Sequence, residues 1–402
     1  GHPDLEFDTI QEAIDNVAEG GTVHVAAGTY VATSLDSIVI AKDGVSLIGE
    51  SMDNTIIDAG AWGTSDAGWP RGIQVKANNV TIKNLTVQGF TGDMVNTGGY
   101  GIVFRDWDHD QESEGYINYS GGVVENVKLQ NNYSALYALV HSGLTVTECL
   151  IQDNFSDGMF IARFSNDATI TNNVVINAGD HGIWVGKDWS LTGPSGNAVI
   201  TGNVIDGARE GGITFYDSDV ATISDNVIKN VQGCGWSVGA ISVISGTDVV
   251  IFNNTVYDTD GTACSSDIAG SGNGIGFSDI YADASQNIQV ENNAIYSNSG
   301  LDMYNDSGIQ IDASPNWWGS IAGPDESEID GDVEYSPWCG DEACSFLVSK
   351  NAKGELVLSG NINVPGGIIV DEPGLTFLLL DDTVVQNESP CFIINADYTT
   401  IT

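Results

Sequence analysis

Two families of short repeats predict an all-β solenoid, a right-handed parallel β-helix with a short N-terminal capping helix. The first family alternates apolar and polar residues around an Asn corner: NNVTIKNLTVQ (78–88), ATITNNVVIN (168–177), AVITGNVID (198–206), ATISDNVIKN (221–230), VVIFNNTVYD (249–258) and NIQVENNAIY (287–296). The second opens on Gly and lies between members of the first: GIVF (101–104), GMFIA (158–162), GIWVG (182–186), GITFY (212–216), GIGFS (274–278) and GIQID (308–312). Repeats of roughly 22 to 40 residues that hold only strand signals describe stacked β-coils. Val and Ile at alternate positions favour strands. Asn, Asp and Gly between them tolerate the left-handed conformation that corners need. An Asn at one inward corner can stack into a ladder from coil to coil. A sandwich of hairpins needs two-residue Asn-Gly or Asp-Gly turns, which are mostly missing.

In chain order, Thr9 to Ala18 reads as a short amphipathic helix ended by Glu19-Gly20-Gly21, and Val23 to Ala26 opens the first strand. A helix over the first coil covers an otherwise open sheet edge. Segments 1–60 are expected to hold this cap and the first coils, 61–315 the main β-helix, 316–345 a connecting segment rich in Trp, Gly and Cys, and 346–402 the start of a second set of strands. The chain stops within what reads as another strand, so a longer parent protein with neighbouring domains is expected.

The opening TIQEAIDNVAEGGTVHVAAGTY with VSLIGESMDNTIIDA resembles the pectin-lyase-type superfamily, particularly the start of pectin methylesterases. The later coils resemble β-helix repeat proteins of microbial surfaces, and NWWGSIAGP (316–324) resembles the segment that often ends such a run. The likeness is one of scaffold. The esterase motifs have no counterpart, and only DHG at Asp180 to Gly182 echoes the polygalacturonase set. Fold alone therefore does not carry function here.

The 402 residues include 55 Asp plus Glu and only 12 Lys plus Arg, a formal charge of −43. Such acidity argues against nucleic acid and anionic membranes as partners. No run of about twenty apolar residues exists, so membrane insertion is not expected. Cys339 and Cys344 share one loop and read as a local disulfide. Cys234 and Cys264 sit in long turns of successive coils and could bridge them. Cys149 and Cys391 read as small buried residues. Sequons at Asn79, Asn84, Asn118, Asn132, Asn154, Asn253, Asn305 and Asn387, the acidity and the disulfides point to an extracellular or cell-surface setting.

Turns after the Asn strands are short at 131–135, 153–157, 177–181 and 206–211, and long at 89–99, 229–238 and 258–273. Short turns between long ones would make a lateral groove suited to a linear polymer. If Ile183 and Val185 face in, Trp184 faces out, and Tyr137 and Phe160 do so in the two preceding coils. Aromatics one coil apart, about 4.8 Å, offer stacking faces to sugar rings; one residue of register slip would instead put them in the core. Arg105, His141, Arg163 and Lys187 follow in a second row, as a polyanion contact or as partners of nearby acids. Polysaccharide lyases on this fold commonly use Lys or Arg as the base beside a neutralised uronate carboxyl, which implies Lys187 or Arg163 in that role. Asp157, Asp180, His181, Arg209 and Glu210 lie at the opposite strand ends, as acid–base, metal-binding or sugar-binding groups. Asp157, Asp180 and Glu210 would serve a glycoside hydrolase reading, which ranks below the lyase. Asp106, Asp108, Asp110, Glu112 and Glu114 alternate in one loop and fit Ca²⁺, without the Gly and terminal Glu of an EF-hand.

Two functions remain open at this stage. One is a secreted or surface protein that engages polysaccharide along the groove and cleaves or epimerises a uronate-containing polymer. The other is a non-catalytic structural or adhesive surface module. An ice-binding face is remote, since no regular Thr ladder appears.

Overall fold

The computed structural model describes residues 6–63, 68–93, 98–105, 117–187, 193–235, 237–264, 271–279 and 285–358, and then 361–363, 367–371, 373–379, 384–386, 392–394 and 400–401. The strands pair in parallel, coil over coil, as a right-handed β-helix. Among the described residues they form an eleven-stranded sheet and a twenty-stranded sheet that bends at the Asn corners. The Gly-initiated repeats from GIVF to GIGFS lie in the eleven-stranded sheet, whereas the last, GIQID, supplies Ile311–Asp312 to the twenty-stranded sheet. Met159–Ala162, Ile183–Gly186, Ile213–Tyr216, Ile241–Ile244 and Ile275–Ser278 are successive neighbours in the eleven-stranded sheet.

The Asn pair has a division of labour. The first position takes a left-handed backbone: Asn172, Asp225, Asn253 and Asn292 have φ between 55° and 57°, where Asn, Asp and Gly are tolerated. The second position turns inward and is fully buried. Its Nδ2 donates to the next coil's Oδ1 in an unbroken run, Asn173 to Asn203, Asn226, Asn254, Asn293 and Asn316, at 2.9 to 3.0 Å. Each Nδ2 also donates to a carbonyl of the preceding coil, as Asn226 does to Ile200 O at 2.9 Å. Every amide in the ladder is thus paired, which buried polar groups require. Cys149 occupies the first rung, its N–H donating to Asn173 Oδ1 at 3.0 Å.

The Gly that opens each strand is demanded by close approach. A Cβ at Gly158 would lie 2.5 Å from Gly182 O, and one at Gly182 would lie 2.6 Å from Gly212 O. Inside, Ile161, Val185, Phe215, Val243 and Phe277 are wholly buried in one continuous core. Burying each such side chain contributes roughly 1.5–3 kcal/mol.

The capping helix spans Ile10–Asn16, shorter than the expected Thr9 to Ala18, because Val17 already has an extended backbone. Thr9 is its N-cap and accepts from the Glu12 N–H at 3.1 Å. Lys42 Nζ donates to the carbonyls of Ile14, Asp15 and Val17 at the other end, where a cation is favoured. Gln11 donates to Val39 O and accepts from Val39 N–H. The helix therefore closes the sheet edge through side-chain bonds as well as through buried Ile10 and Ile14.

After Asn316, the last ladder residue, Ile329–Asp330 and Val333–Glu334 still pair in parallel, and then the pairing changes. Trp338–Cys339, Leu347–Lys350 and Leu356–Leu358 are antiparallel neighbours. Leu356–Leu358 then pairs in parallel with Thr376–Leu379. Disulfides join Cys234 to Cys264 and Cys339 to Cys344, as expected, and Cys149 is a buried free thiol. Cys391 lies outside the described residues. No helix among the described residues is long and apolar enough to cross a membrane.

Candidate functional site

Tyr137, Phe160 and Trp184 are register partners in adjacent coils of the eleven-stranded sheet. They point away from the main core, to which these strands contribute Ala135, Leu136, Ala138, Met159, Ile161, Ile183 and Val185. Their rings stack at 5.1 and 5.7 Å with planes 8° and 14° apart. The row is longer than the sequence reading had it. Trp69 and Tyr100 extend it on one side at 5.8 and 4.7 Å, and Tyr216 on the other at 5.1 Å. Outward does not mean open, however. Phe160 and Trp184 are 3% and 2% exposed, in a second apolar cluster with Leu139, Val140, Tyr216, Val238 and Ile244. A bare stacking platform at these two residues is therefore corrected to a covered one. Tyr137 is half-buried and Trp69 is exposed.

One flank of this row, at the N-terminal ends of its strands, carries the acid–base residues. Each stands in the short turn just before a Gly-initiated strand, so the coil rise stacks them. Backbone bonds fix the stacking: Asp180 N–H donates to Ser156 O at 3.1 Å and Glu210 N–H to Asp180 O at 2.9 Å. His181 is at the centre. Its Nδ1 is 2.9 Å from Asp157 Oδ1 and its Nε2 is 3.4 Å from Glu210 Oε2. The second distance is within ion-pair reach but lacks hydrogen-bond geometry, and Nε2 is buried. An imidazolium can donate at both nitrogens, a neutral ring at only one. The ring meets Trp184 edge-on at 4.6 Å. Above it, Asp180 accepts from Ser156 Oγ at 2.8 Å and from Arg209 at 3.2 Å. Arg209 is 56% exposed, while the Asp157 and Glu210 side chains are 13% and 12% exposed. Exposure thus falls from Arg209 through the carboxylates to His181. Tyr133 completes the group: burial first, then the Asp180 and Asp157 carboxylates, push its phenol up, against a hydrogen bond with Ser156.

The row of basic residues is less uniform than expected. Lys187 Nζ forms an ion pair with Asp217 at 2.5 Å, both side chains largely buried. Arg105 is half-buried, and its carbonyl accepts from Gln74. Arg163 and Phe164 have left-handed backbones, φ 50° and 61°, and turn the chain out of its strand. His141 leaves the row altogether. Val140 is left-handed, φ 56°, and this rotates the next side chain inward. His141 is 1% exposed, packs on the Phe104 ring at 4.7 Å and accepts the Gly122 N–H at Nε2. Burial pushes its pKa down to about 4, so it is neutral at pH 7 and supplies no cation.

The carboxylates Asp106, Asp108, Asp110, Glu112 and Glu114 lie outside the described residues. Among the described residues no group of three His, Cys, Asp or Glu is arranged to hold a metal ion. Sequence reasoning missed Tyr133, Ser156, Asp217, Tyr100 and Tyr216. Tyr133 and Ser156 carried a usable signal, since they flank the same short turns as the acids. Of the sequons, Asn132, Asn154 and Asn305 are buried in hydrogen-bond networks.

A coiled parallel sheet with an acid–base group along one flank of an outer aromatic row defines a β-helix protein with a lateral candidate site. The family model described as right handed beta helix region matches residues 71–240 and 193–318, more than half of the chain, and the chain belongs to that family. It is 28% identical over 193 residues to mannuronan C5-epimerase AlgE3 of Azotobacter vinelandii, a match to 43% of this chain and 10% of that protein. The chain thus spans only a small part of that relative's length. Its fold is similar to the A-module of mannuronan C-5 epimerase AlgE4 of Azotobacter vinelandii, at 18% identity, TM-score 0.58, over 81% of this chain and 94% of the module. It also resembles ORF18 of Geobacillus virus E2, at 14% identity and TM-score 0.54, over 87% of this chain and 62% of the other.

Proposed function

We propose that the chain acts on a uronate-containing polysaccharide bound along the outer face of the eleven-stranded sheet, by moving the proton at C5 of a uronate ring. The observation that carries this reading is the convergence of Asp157, His181 and Glu210 under an exposed Arg209 on one flank of the aromatic row. The likeness to a mannuronan C5-epimerase supports it. Cleavage and epimerisation begin with the same step. The uronate carboxylate must be neutralised before the neighbouring proton becomes acidic. Arg209, the most exposed cation of the group, meets the carboxylate. Glu210 or Asp157 takes the proton, and His181 beneath them holds both carboxylates in place. Tyr133 is a neutral donor beside them for the opposite face or the leaving oxygen. Lys187, paired with Asp217, orients the opposite flank of the row rather than serving as base, and Arg163 and Arg105 flank the polymer there. Asp106, Asp108, Asp110, Glu112 and Glu114 would hold Ca²⁺, which would locally reduce the repulsion of a polyanion by a chain of charge −43. An extracellular setting fits the two disulfides.

The test is incubation with polymannuronate and polygalacturonate, with and without Ca²⁺. Ultraviolet absorbance reads an unsaturated product and proton NMR reads a changed C5 configuration. Glu210→Gln or Arg209→Ala is expected to lower the rate by roughly 100-fold or more, the scale of one acid–base group. The burial of Phe160 and Trp184 favours a second reading, a non-catalytic surface module whose aromatic row is structural. That reading stands if neither polymer is altered or bound.

A further inference from the structure

A second set of aromatic side chains lies on a different face. On the twenty-stranded sheet, Thr255–Tyr257 pairs in register with Ala294–Tyr296. Tyr257 and Tyr296 are half-buried and stack at 5.5 Å, with planes 13° apart. In the following coil the position beside Tyr296 is Gly319, reached through the Ala294–Trp317 bridge. Gly319 has φ 77°, and a Cβ there would come within 2.8 Å of Tyr296 Cβ. Gly319 itself therefore brings no side chain over Tyr296.

Two residues earlier on the same strand faces, Thr255 and Ala294 form the floor of a cavity of ≈ 310 Å³. Ala294 is buried yet stands outside the main core cluster. Glu342, Ala343 and Cys344, from the loop that the Cys339–Cys344 disulfide closes, line the same cavity. Asn253 and Asn292 line one side, and Glu342 in the disulfide loop lines the other. Asn253 and Asn292 both have left-handed backbones and exposed side chains. Glu342 also faces the stack: after burial, its carboxylate is the next cause that pushes the Tyr296 phenol up.

We propose that this cavity and the Tyr257–Tyr296 stack form a binding site for a neutral saccharide, separate from the acid–base cluster and independent of its chemistry. The two amides and the Glu342 carboxylate offer both acceptors and donors to vicinal hydroxyls. The tyrosine rings offer flat apolar surface to the C–H face of a sugar. The volume suits one sugar ring at the lower end of ligand pockets. Glu342 and the neighbouring Asp258 disfavour a uronate here, so the two faces would select differently charged sugars.

The test is binding of the intact chain to a panel of neutral gluco-, manno- and galacto-oligosaccharides and of uronate oligosaccharides. Dissociation constants are then measured for any binder with wild type, Tyr296→Ala, Tyr296→Phe and Glu342→Gln. Thermal melts check that each variant is folded. The expected result is binding of at least one neutral oligosaccharide, weakened tenfold or more in folded Tyr296→Ala and in Glu342→Gln, and kept in Tyr296→Phe, which preserves the stack. The proposal is overturned if no neutral member binds, if uronates bind better and depend on Tyr296, or if Tyr296→Ala binds as wild type does. Loss of C5 chemistry in the first cleft leaves these outcomes unchanged, so the two readings fail separately.

Discussion

The Asn ladder and the outer aromatic row are both stacks of side chains that climb the β-helix one coil at a time, yet they differ in what repeats. In the ladder the same residue recurs from Asn173 to Asn316 and makes the same bonds in each coil. On the outer row the residue changes at every step, through Trp69, Tyr100, Tyr137, Phe160, Trp184 and Tyr216. Its two flanks carry different groups, with Asp157, His181, Glu210 and Arg209 on one side and the Lys187–Asp217 pair on the other. Uniform repetition satisfies a requirement every coil shares, the pairing of buried backbone groups. Variation along a row is free to be local, and chemistry needs local differences.

The comparison can be broken by substitution on either side. Trp184→Ala is expected to have the largest effect, about 4 kcal/mol of lost stability in urea unfolding, because a buried aromatic leaves a cavity. A loss below about 1 kcal/mol would show that the row is an open surface after all. Asn226→Ala removes the bonds to Ile200 O and Asn254 and leaves the Asn203 N–H without its acceptor. Two or more unsatisfied groups cost about 3 kcal/mol together, and Asn226→Asp should not restore it, since a carboxylate cannot donate to the carbonyl. Equal stability of wild type and Asn226→Ala would remove the ladder from the account.

His141 sharpens the boundary between inside and outside. Its folded pKa is about 4 against an ordinary 6.5. Between these values the unfolded chain binds more protons, so His141 makes stability rise as pH increases from about 4 to 6.5, with its effect complete above 6.5. His141→Gln should flatten this part of the stability–pH curve; an unchanged slope would return His141 to the surface row. The smallest effect is at the cap. Lys42→Met loses three bonds to the helix C-terminus and should cost about 1 kcal/mol, concentrated in faster hydrogen exchange of residues 10–17.

These cases also show why some features could be read from the chain and others could not. The corner Asn pairs were legible because left-handed tolerance and a buried amide are properties of residue type. The register of Phe160 and Trp184 followed from strand alternation, which has a strict period of two. His141 was not legible. Its orientation turns on Val140, a β-branched residue whose type argues against the left-handed backbone it adopts. The ion pair of Lys187 with Asp217 was equally hidden, since it joins residues a coil apart whose facing depends on where each strand ends.

From sequence alone came the β-helix, the cap at its start, both disulfide pairings and the Asn corners, because each rests on a periodicity or on a local conformational preference. Tertiary structure alone decided that Phe160 and Trp184 of the aromatic row are covered, that His181 stands between two carboxylates, and that the cavity beside Tyr296 exists. Those depend on what other coils and loops place against a side chain, and residue type carries no record of its neighbours across the fold.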